Sequence, residues 1–193
     1  MIMGAALTVF DIDETLFHTD AKILVVKNGK VVKELDNRQF NTYILEPDEE
    51  FDFAQFTNAK LFHDTSVPIE KMWNKAKSTL DHIGRRPGSR VIIVTARSDF
   101  DDKETFLDTF REHGLDIDKI HVHRAGNLRL PSHVAKKKII GRYLATGNFD
   151  MVRLFDDAET NLRSFLSLKK EYPDIEFNAY MVLETGDVKV YKV

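Results

Sequence analysis

The chain contains no cysteine. Disulfides, thiolate metal sites and a cysteine nucleophile are therefore excluded, although this absence does not fix the compartment. No apolar run reaches the length of a membrane span. The stretch Ile2–Phe10 has no basic segment ahead of it and runs straight into Asp11, so it reads as a strand rather than a signal peptide. Gly4 is not at the second position, so no myristoylation signal is offered. Neither charge dominates. A net charge of −3 argues against a dedicated nucleic-acid binder with a long footprint, but it leaves room for a local basic site. There is no internal repeat and no low-complexity segment. What is present is a 193-residue chain, 42% hydrophobic and 31% charged. That suffices for one globular domain with a sizeable core, or one domain plus a small insert. The expectation is a cytoplasmic protein with no membrane partner and no obligate protein partner.

From Pro68 onward, strand and helix patterns alternate. A helix is expected over Ile69–Ile83, opened by Pro68 and stopped by Gly84. A buried strand follows at Arg90–Thr95, then a helix at Asp102–His113 ended by Gly114. Lys119–His123 reads as a strand, Ser132–Ala145 as a helix with Ser132 at its N-cap, and Met151–Phe155 as a strand. Ala158–Glu171 reads as a helix, and Glu176–Leu183 and Asp187–Tyr191 as strands around Thr185-Gly186. This alternation predicts an α/β fold, with a Rossmann-like, mainly parallel sheet and helices on both faces. Between residues 18 and 67 the composition differs. Lys22–Lys27 and Lys30–Leu35 flank Asn28-Gly29, a strong hairpin signal. Asn41–Leu45 is a candidate third strand, Glu46–Glu50 a loop, and Phe51–Phe56 is ambiguous in type. The expected organisation is a core of 1–17 and 68–193, with 18–67 as a flap and small β-containing cap.

Chemistry gathers where the strands end. The run Leu7–Phe10 closes in Asp11-Ile12-Asp13, two acids whose spacing on a strand places them on one face. In an open α/β sheet, ligands bind beyond the carboxyl ends of the strands. Paired carboxylates there suit Mg²⁺, which accepts oxygen ligands and keeps several waters. Taken alone, the pair also reads as a turn or helix cap helped by Thr15. Arg90–Thr95 is followed by Ala96 and Arg97, a hydroxyl and backbone N–H groups fit to hold phosphoryl oxygens, though a strand-ending threonine is more often a cap. Lys136, Lys137 and Lys138 lie on the helix from Ser132. Lys136 precedes Ile139 and Ile140 by three and four residues and is the one expected to point inward. Met151–Phe155 ends in Asp156-Asp157, with Asn161 four residues beyond; this reads as a cation site or as a helix cap.

These four segments, in this order, resemble the haloacid dehalogenase-like superfamily. The resemblance covers Ala6–Leu16 and roughly residues 69–168, with Lys136 lying 21 residues before Asp157. It implies a phosphatase in which Asp11 is the nucleophile that forms an aspartyl-phosphate. Asp13 would be the general acid and then the base. Mg²⁺ would be held by Asp11, by the backbone carbonyl of Asp13 and by Asp157. Thr95 and Lys136, with Ala96 and Arg97 beside them, would hold the phosphoryl oxygens, while Asp156 and Asn161 would orient the metal waters and the lysine. The expected reaction is hydrolysis of a phosphomonoester, the substrate being a phosphorylated small molecule, a nucleotide or a polynucleotide 3′-phosphate end. The competing reading is a Mg²⁺- and phosphate-binding module that docks a partner through its insert. A receiver-domain reading fails, because no lone strand-end Asp lies between Asp13 and Thr95.

Three further signals are weaker. His121 and His123 alternate on a strand, but no third ligand lies nearby to complete a metal site. Lys119–Phe149 holds seven bases and no acid, which suits either a solvated surface or attraction of a polyanion. Phe51, Phe53, Phe56 and Phe62 form the insert's own small core or stack on a base, the former being the commoner use.

Overall fold

A computed structural model describes residues 4–83 and 85–193. In chain order the strands and helices are β1 (Ala6–Phe10), β2 (Phe17–His18), β3 (Ile23–Lys27), β4 (Lys30–Leu35), α1 (Asn37–Thr42), β5 (Glu49–Asp52), α2 (Ala59–Thr65), β6 (Val67–Pro68), α3 (Glu70–Ile83), β7 (Arg90–Thr95), α4 (Lys103–Glu112), β8 (His121–Arg124), α5 (Ser132–Leu144), β9 (Met151–Asp156), α6 (Glu159–Ser167), β10 (Glu176–Val182) and β11 (Val188–Tyr191). Short 3-10 turns link several of them. Among the described residues, no helix is long and apolar enough to cross a membrane.

The central sheet has the order β11-β10-β9-β1-β7-β8, parallel throughout except for the β10–β11 hairpin. Every residue of β1 is buried, as a strand covered on both faces requires. Alternate residues feed two apolar layers. Phe10, Val91 and Ile93 pack with Met72 and Trp73 of α3, Phe106 and Phe110 of α4 and Phe62 of α2. Leu7, Val9, Ile92 and Val94 pack with Ile139 and Ile140 of α5 and Leu162 and Phe165 of α6. From β1 the chain moves outward through β7 and β8, then returns to the opposite side of β1 for β9. This reversal opens a crevice at the carboxyl ends of β1 and β9.

A separate three-stranded sheet, β4-β3-β5, forms over residues 23–52. Its hairpin turn places Asn28 and Gly29 at φ 52° and 77°, as a tight turn matching strand twist needs. β2 and β6 pair antiparallel where the chain leaves and rejoins the core. The small apolar centre of this sheet is Ile23, Val25 and Leu35, with Phe40, Tyr43, Phe51 and Phe56 packed on it. α2 behaves differently: Ala59 and Phe62 are buried in the main core, so the end of segment 18–67 belongs to the packing of the central domain.

Local expectations are revised at several points. The candidate strand Asn41–Leu45 is absent, and α1 occupies its beginning. Asp36 and Gln39 form a reciprocal capping box that starts this helix. The third strand is instead Glu49–Asp52, taking the end of the expected loop. Pro68 lies in a β-bridge to Phe17 rather than in the first turn of α3. Ser132 is the first residue of α5, Pro131 precedes it as the cap, and no side-chain cap bond forms. α6 stops at Ser167 and continues only as a 3-10 turn. Strand β8 starts at His121 because Ile117–Lys119 form a 3-10 turn. Met1, Ile2, Met3 and Gly84, the expected helix stop, lie outside the described residues.

Candidate active site

Phe10 ends β1, and the Asp11 N–H still extends the ladder by donating to the Phe155 carbonyl at 3.0 Å. The chain then turns tightly. The Ile12 carbonyl accepts from the N–H groups of Thr15, Leu16 and Phe17. Glu14 takes φ 60°, a left-handed conformation that costs a non-glycine residue energy and must be held by its surroundings. Its carboxylate is so held, by His18 Nδ1 at 2.8 Å and by the Thr19 N–H at 3.3 Å. Asp11 and Asp13 thereby face one cavity of ≈ 660 Å³ beyond the carboxyl end of β1.

One lysine joins the acids of two adjacent strands. Lys136 is buried, and its Nζ donates to Asp11 Oδ1 at 2.9 Å and to Asp156 Oδ2 at 2.7 Å. Lys137 is half-buried and Lys138 exposed. Burial disfavours the Lys136 ammonium, but Asp11 and Asp156 outweigh it and hold its pKa above the ordinary value. Asp156 is fully buried and saturated: Asn161 Nδ2 donates to it at 3.1 and 3.2 Å, and the Ala158 N–H at 2.9 Å. The Thr15 hydroxyl donates to Asp11 Oδ2 at 3.2 Å.

Carboxylate oxygens of Asp11, Asp156 and Asp157 lie within 4.8 Å of one another. Burial, then the charge of Asp156, pushes the Asp11 carboxyl upward. Burial, then the charges of Asp11 and Asp156, pushes Asp157 well above the carboxylate range. Were all three acids ionised, one ammonium would leave two negative charges uncompensated, and the raised pKa values of Asp11 and Asp157 express that shortfall. A hard divalent cation with oxygen ligands fits this donor set. Asp156 belongs to the cluster by position, although its oxygens are already committed to Lys136 and Asn161.

Asp13 is paired elsewhere. Arg97 Nε donates to both its oxygens, at 3.2 and 3.0 Å, and Arg97 Nη2 to Oδ1 at 2.5 Å. The Thr19 hydroxyl adds a bond at 2.7 Å. Burial alone would raise the Asp13 pKa; the Arg97 charge and its hydrogen bonds overcome this and lower it. The Arg97 side chain is 1% exposed, with its guanidinium over the rings of Phe56, Phe62 and Phe100 and its Nη1 donating to the Phe56 carbonyl at 3.0 Å. Proposed from sequence as a substrate contact, Arg97 has its guanidinium committed to Asp13 and to the insert. Thr95 is completely buried, and its hydroxyl accepts from the Arg97 N–H at 3.1 Å. The cavity wall at this point is Ala96, Arg97 and Ser98.

Several residues here carried no signal of their own in the sequence. Gly126 is one: a Cβ there would lie 2.6 Å from the Ala96 carbonyl oxygen and 2.7 Å from the Ser98 nitrogen. Only glycine lets the 125–128 turn approach the loop after β7, and its N–H donates to the Arg97 carbonyl. Asp99 and Asn127 lock the same two loops by reciprocal bonds of 3.0 and 2.9 Å. Thr19 and the Phe56 carbonyl gain meaning only from the position of Arg97. His121 and His123 stack at 4.2 Å, and His123 Nε2 pairs with the Tyr143 hydroxyl at 2.6 Å. Neither belongs to the clustered metal-type donors found among the described residues.

Comparison with protein-family models and with curated proteins finds no match for this chain.

Proposed function

We propose that this chain is a Mg²⁺-dependent phosphomonoester hydrolase of the haloacid dehalogenase-like type, working through an aspartyl-phosphate on Asp11. One observation carries the reading: Lys136 bridges Asp11 and Asp156 at the carboxyl ends of neighbouring parallel strands, with Asp157 beside them, so that three acids share one cation. Asp11, Asp157 and the Asp13 carbonyl would hold the cation, which supplies charge neutralisation at the transferring phosphoryl group.

Asp11 attacks phosphorus through one carboxylate oxygen while the bond to the leaving oxygen breaks. That oxygen takes a proton from Asp13. Lys136 and the N–H groups of the loop after Thr95 offset charge on the phosphoryl oxygens. A water then attacks the aspartyl-phosphate, gives its proton to Asp13 and releases inorganic phosphate with Asp11 restored. Arg97 holds Asp13 as the carboxylate, the form needed for this second step. Donation in the first step requires that pair to loosen. The same pair favours a second reading, a binding module without turnover.

The deciding experiment is hydrolysis of an activated aryl phosphate with Mg²⁺. Turnover that disappears in EDTA and in Asp11→Asn supports the enzyme; no turnover at any pH assigns the binding module.

A further inference from the structure

The cavity above Asp11 is far larger than a phosphoryl group needs. Its ≈ 660 Å³ lie in the range of whole small-molecule sites. Much of its lining comes from the insert, with Phe40, Phe53, Asn37 and Asn41 among the residues. Most of the insert's rings are used internally. Phe40, Tyr43, Phe51 and Phe56 pack on Ile23, Val25 and Leu35. Lys33 lies over the Tyr43 ring and Arg97 over the Phe56 ring. Phe53 is outside that small core and is 47% exposed. Its neighbours Phe40, Phe51 and Phe56 meet it edge-on or tilted, never face to face. Held by three neighbouring rings and still 47% exposed, Phe53 keeps aromatic surface open where it lines the cavity. Asn37 and Asn41 are four apart on α1 and so share the side of the helix that lines the cavity. Each amide offers one acceptor and two donors, the complement of a nucleobase edge.

We infer that the cavity takes a nucleobase-bearing phosphomonoester, its base stacked on Phe53 and its edge read by Asn37 and Asn41. This rests on the proposed hydrolase reading for the phosphate end only. A polar sugar would join the two ends, and the same cavity is also lined by the polar Ser132, His133 and Thr160. Base–aromatic stacking is sequence-tolerant, because every base has a π-face. Base preference therefore falls to the two asparagines and overall affinity to Phe53.

The test compares ribose 5-phosphate with the four nucleoside 5′-monophosphates and with a 3′-phosphorylated oligonucleotide. Wild type is expected to favour the base-bearing substrates about tenfold to a hundredfold in kcat/KM, the range one stacked base commands. Phe53→Ala should remove that preference, chiefly through a raised KM for the base-bearing substrates, with a much smaller effect on ribose 5-phosphate. Phe53→Trp should retain it, and Asn37→Ala with Asn41→Ala should alter the order among bases. A better oligonucleotide marks the natural source as a chain end, and a better mononucleotide marks it as free nucleotide. Equal rates for ribose 5-phosphate and nucleotides, or a parallel loss on both in Phe53→Ala, would overturn the subsite. Ligand-observed NMR of a nucleoside monophosphate separates the two claims. Base-proton contacts that vanish in Phe53→Ala, in a protein without turnover, keep the subsite and sink the hydrolase.

Discussion

Asp11 and Asp13 stand two residues apart, and their surroundings assign them opposite electrostatics. Burial and neighbouring carboxylates raise Asp11, whereas Arg97 lowers Asp13. Asp11→Asn should abolish turnover of every phosphomonoester and binding of beryllium fluoride, an aspartyl-phosphate mimic. Asp13→Asn should slow alkyl phosphates by about 10²–10⁴, the usual worth of general acid–base help, and activated aryl phosphates much less. Substantial turnover by Asp11→Asn would contradict the assignment. Arg97 offers a test by stability. Removing one partner of a buried ion pair costs about 3–5 kcal/mol because the other charge stays buried and unpaired. Because Asp13 is partly open to the cavity, urea denaturation of Arg97→Leu should show a loss of up to that size, and Arg97→Leu with Asp13→Asn should recover part of it. Additive losses in the double variant would mean the pair is not coupled.

At the scale of elements, several contacts fasten the insert to the core, among them one made by an arginine and one by a histidine. Arg97 of the loop after β7 holds the Phe56 carbonyl, and His63 of α2 pairs with Asp64 at 2.9 Å and with Glu112 of α4 at 2.7 Å. Hydrogen bonds to Asp64 and Glu112 raise the His63 pKa above 6.5. The stabilisation is then fully present below that value and is lost as pH rises through the raised folded-state value. His63→Gln should lower Tm at about pH 5.5 and much less at about pH 8.5, the stability lost being no more than about 1 kcal/mol for so exposed a clip. An equal effect at both pH values would exclude the charged form. Gly126→Ala forces a Cβ into the Ala96 carbonyl. A cost of about 1–3 kcal/mol and a reduced kcat/KM should follow, since the loop it displaces walls the cavity.

For the whole molecule, the strand order brings two distant acidic segments to one crevice, and a divalent cation there should stabilise the fold by linkage. Mg²⁺ should raise Tm in wild type but not in Asp157→Ala, and Ca²⁺ should support turnover poorly because its looser coordination misplaces the nucleophile. The bases between Lys119 and Phe149 bear on long-range attraction. If they guide a nucleic-acid end, kcat/KM for a 3′-phosphorylated oligonucleotide should fall steeply with salt, while that for a small aryl phosphate should change little. Equal salt dependence would remove that role.

The buried strands and the order of helices and strands were legible in the sequence because both depend on local pattern. An unbroken, β-branched apolar run such as Val91–Val94 suits a strand covered on both faces, and Asn28-Gly29 suits a tight hairpin. The inward choice of Lys136 over its two neighbours followed from helical periodicity. Element ends were less legible: α1 took the first two residues of a predicted strand because the reciprocal Asp36–Gln39 capping box outweighed a weak β pattern. The partnership of Arg97 with Asp13 depends on a contact 84 residues apart in the chain, and no local pattern encodes it. The approach of Gly126 to the loop after β7 and the entry of α2 into the main core are likewise long-range packing. Residue type and spacing determined which groups stand at the strand ends; only the tertiary structure decided which charges meet there, because pairing energy depends on distance and burial rather than on order along the chain.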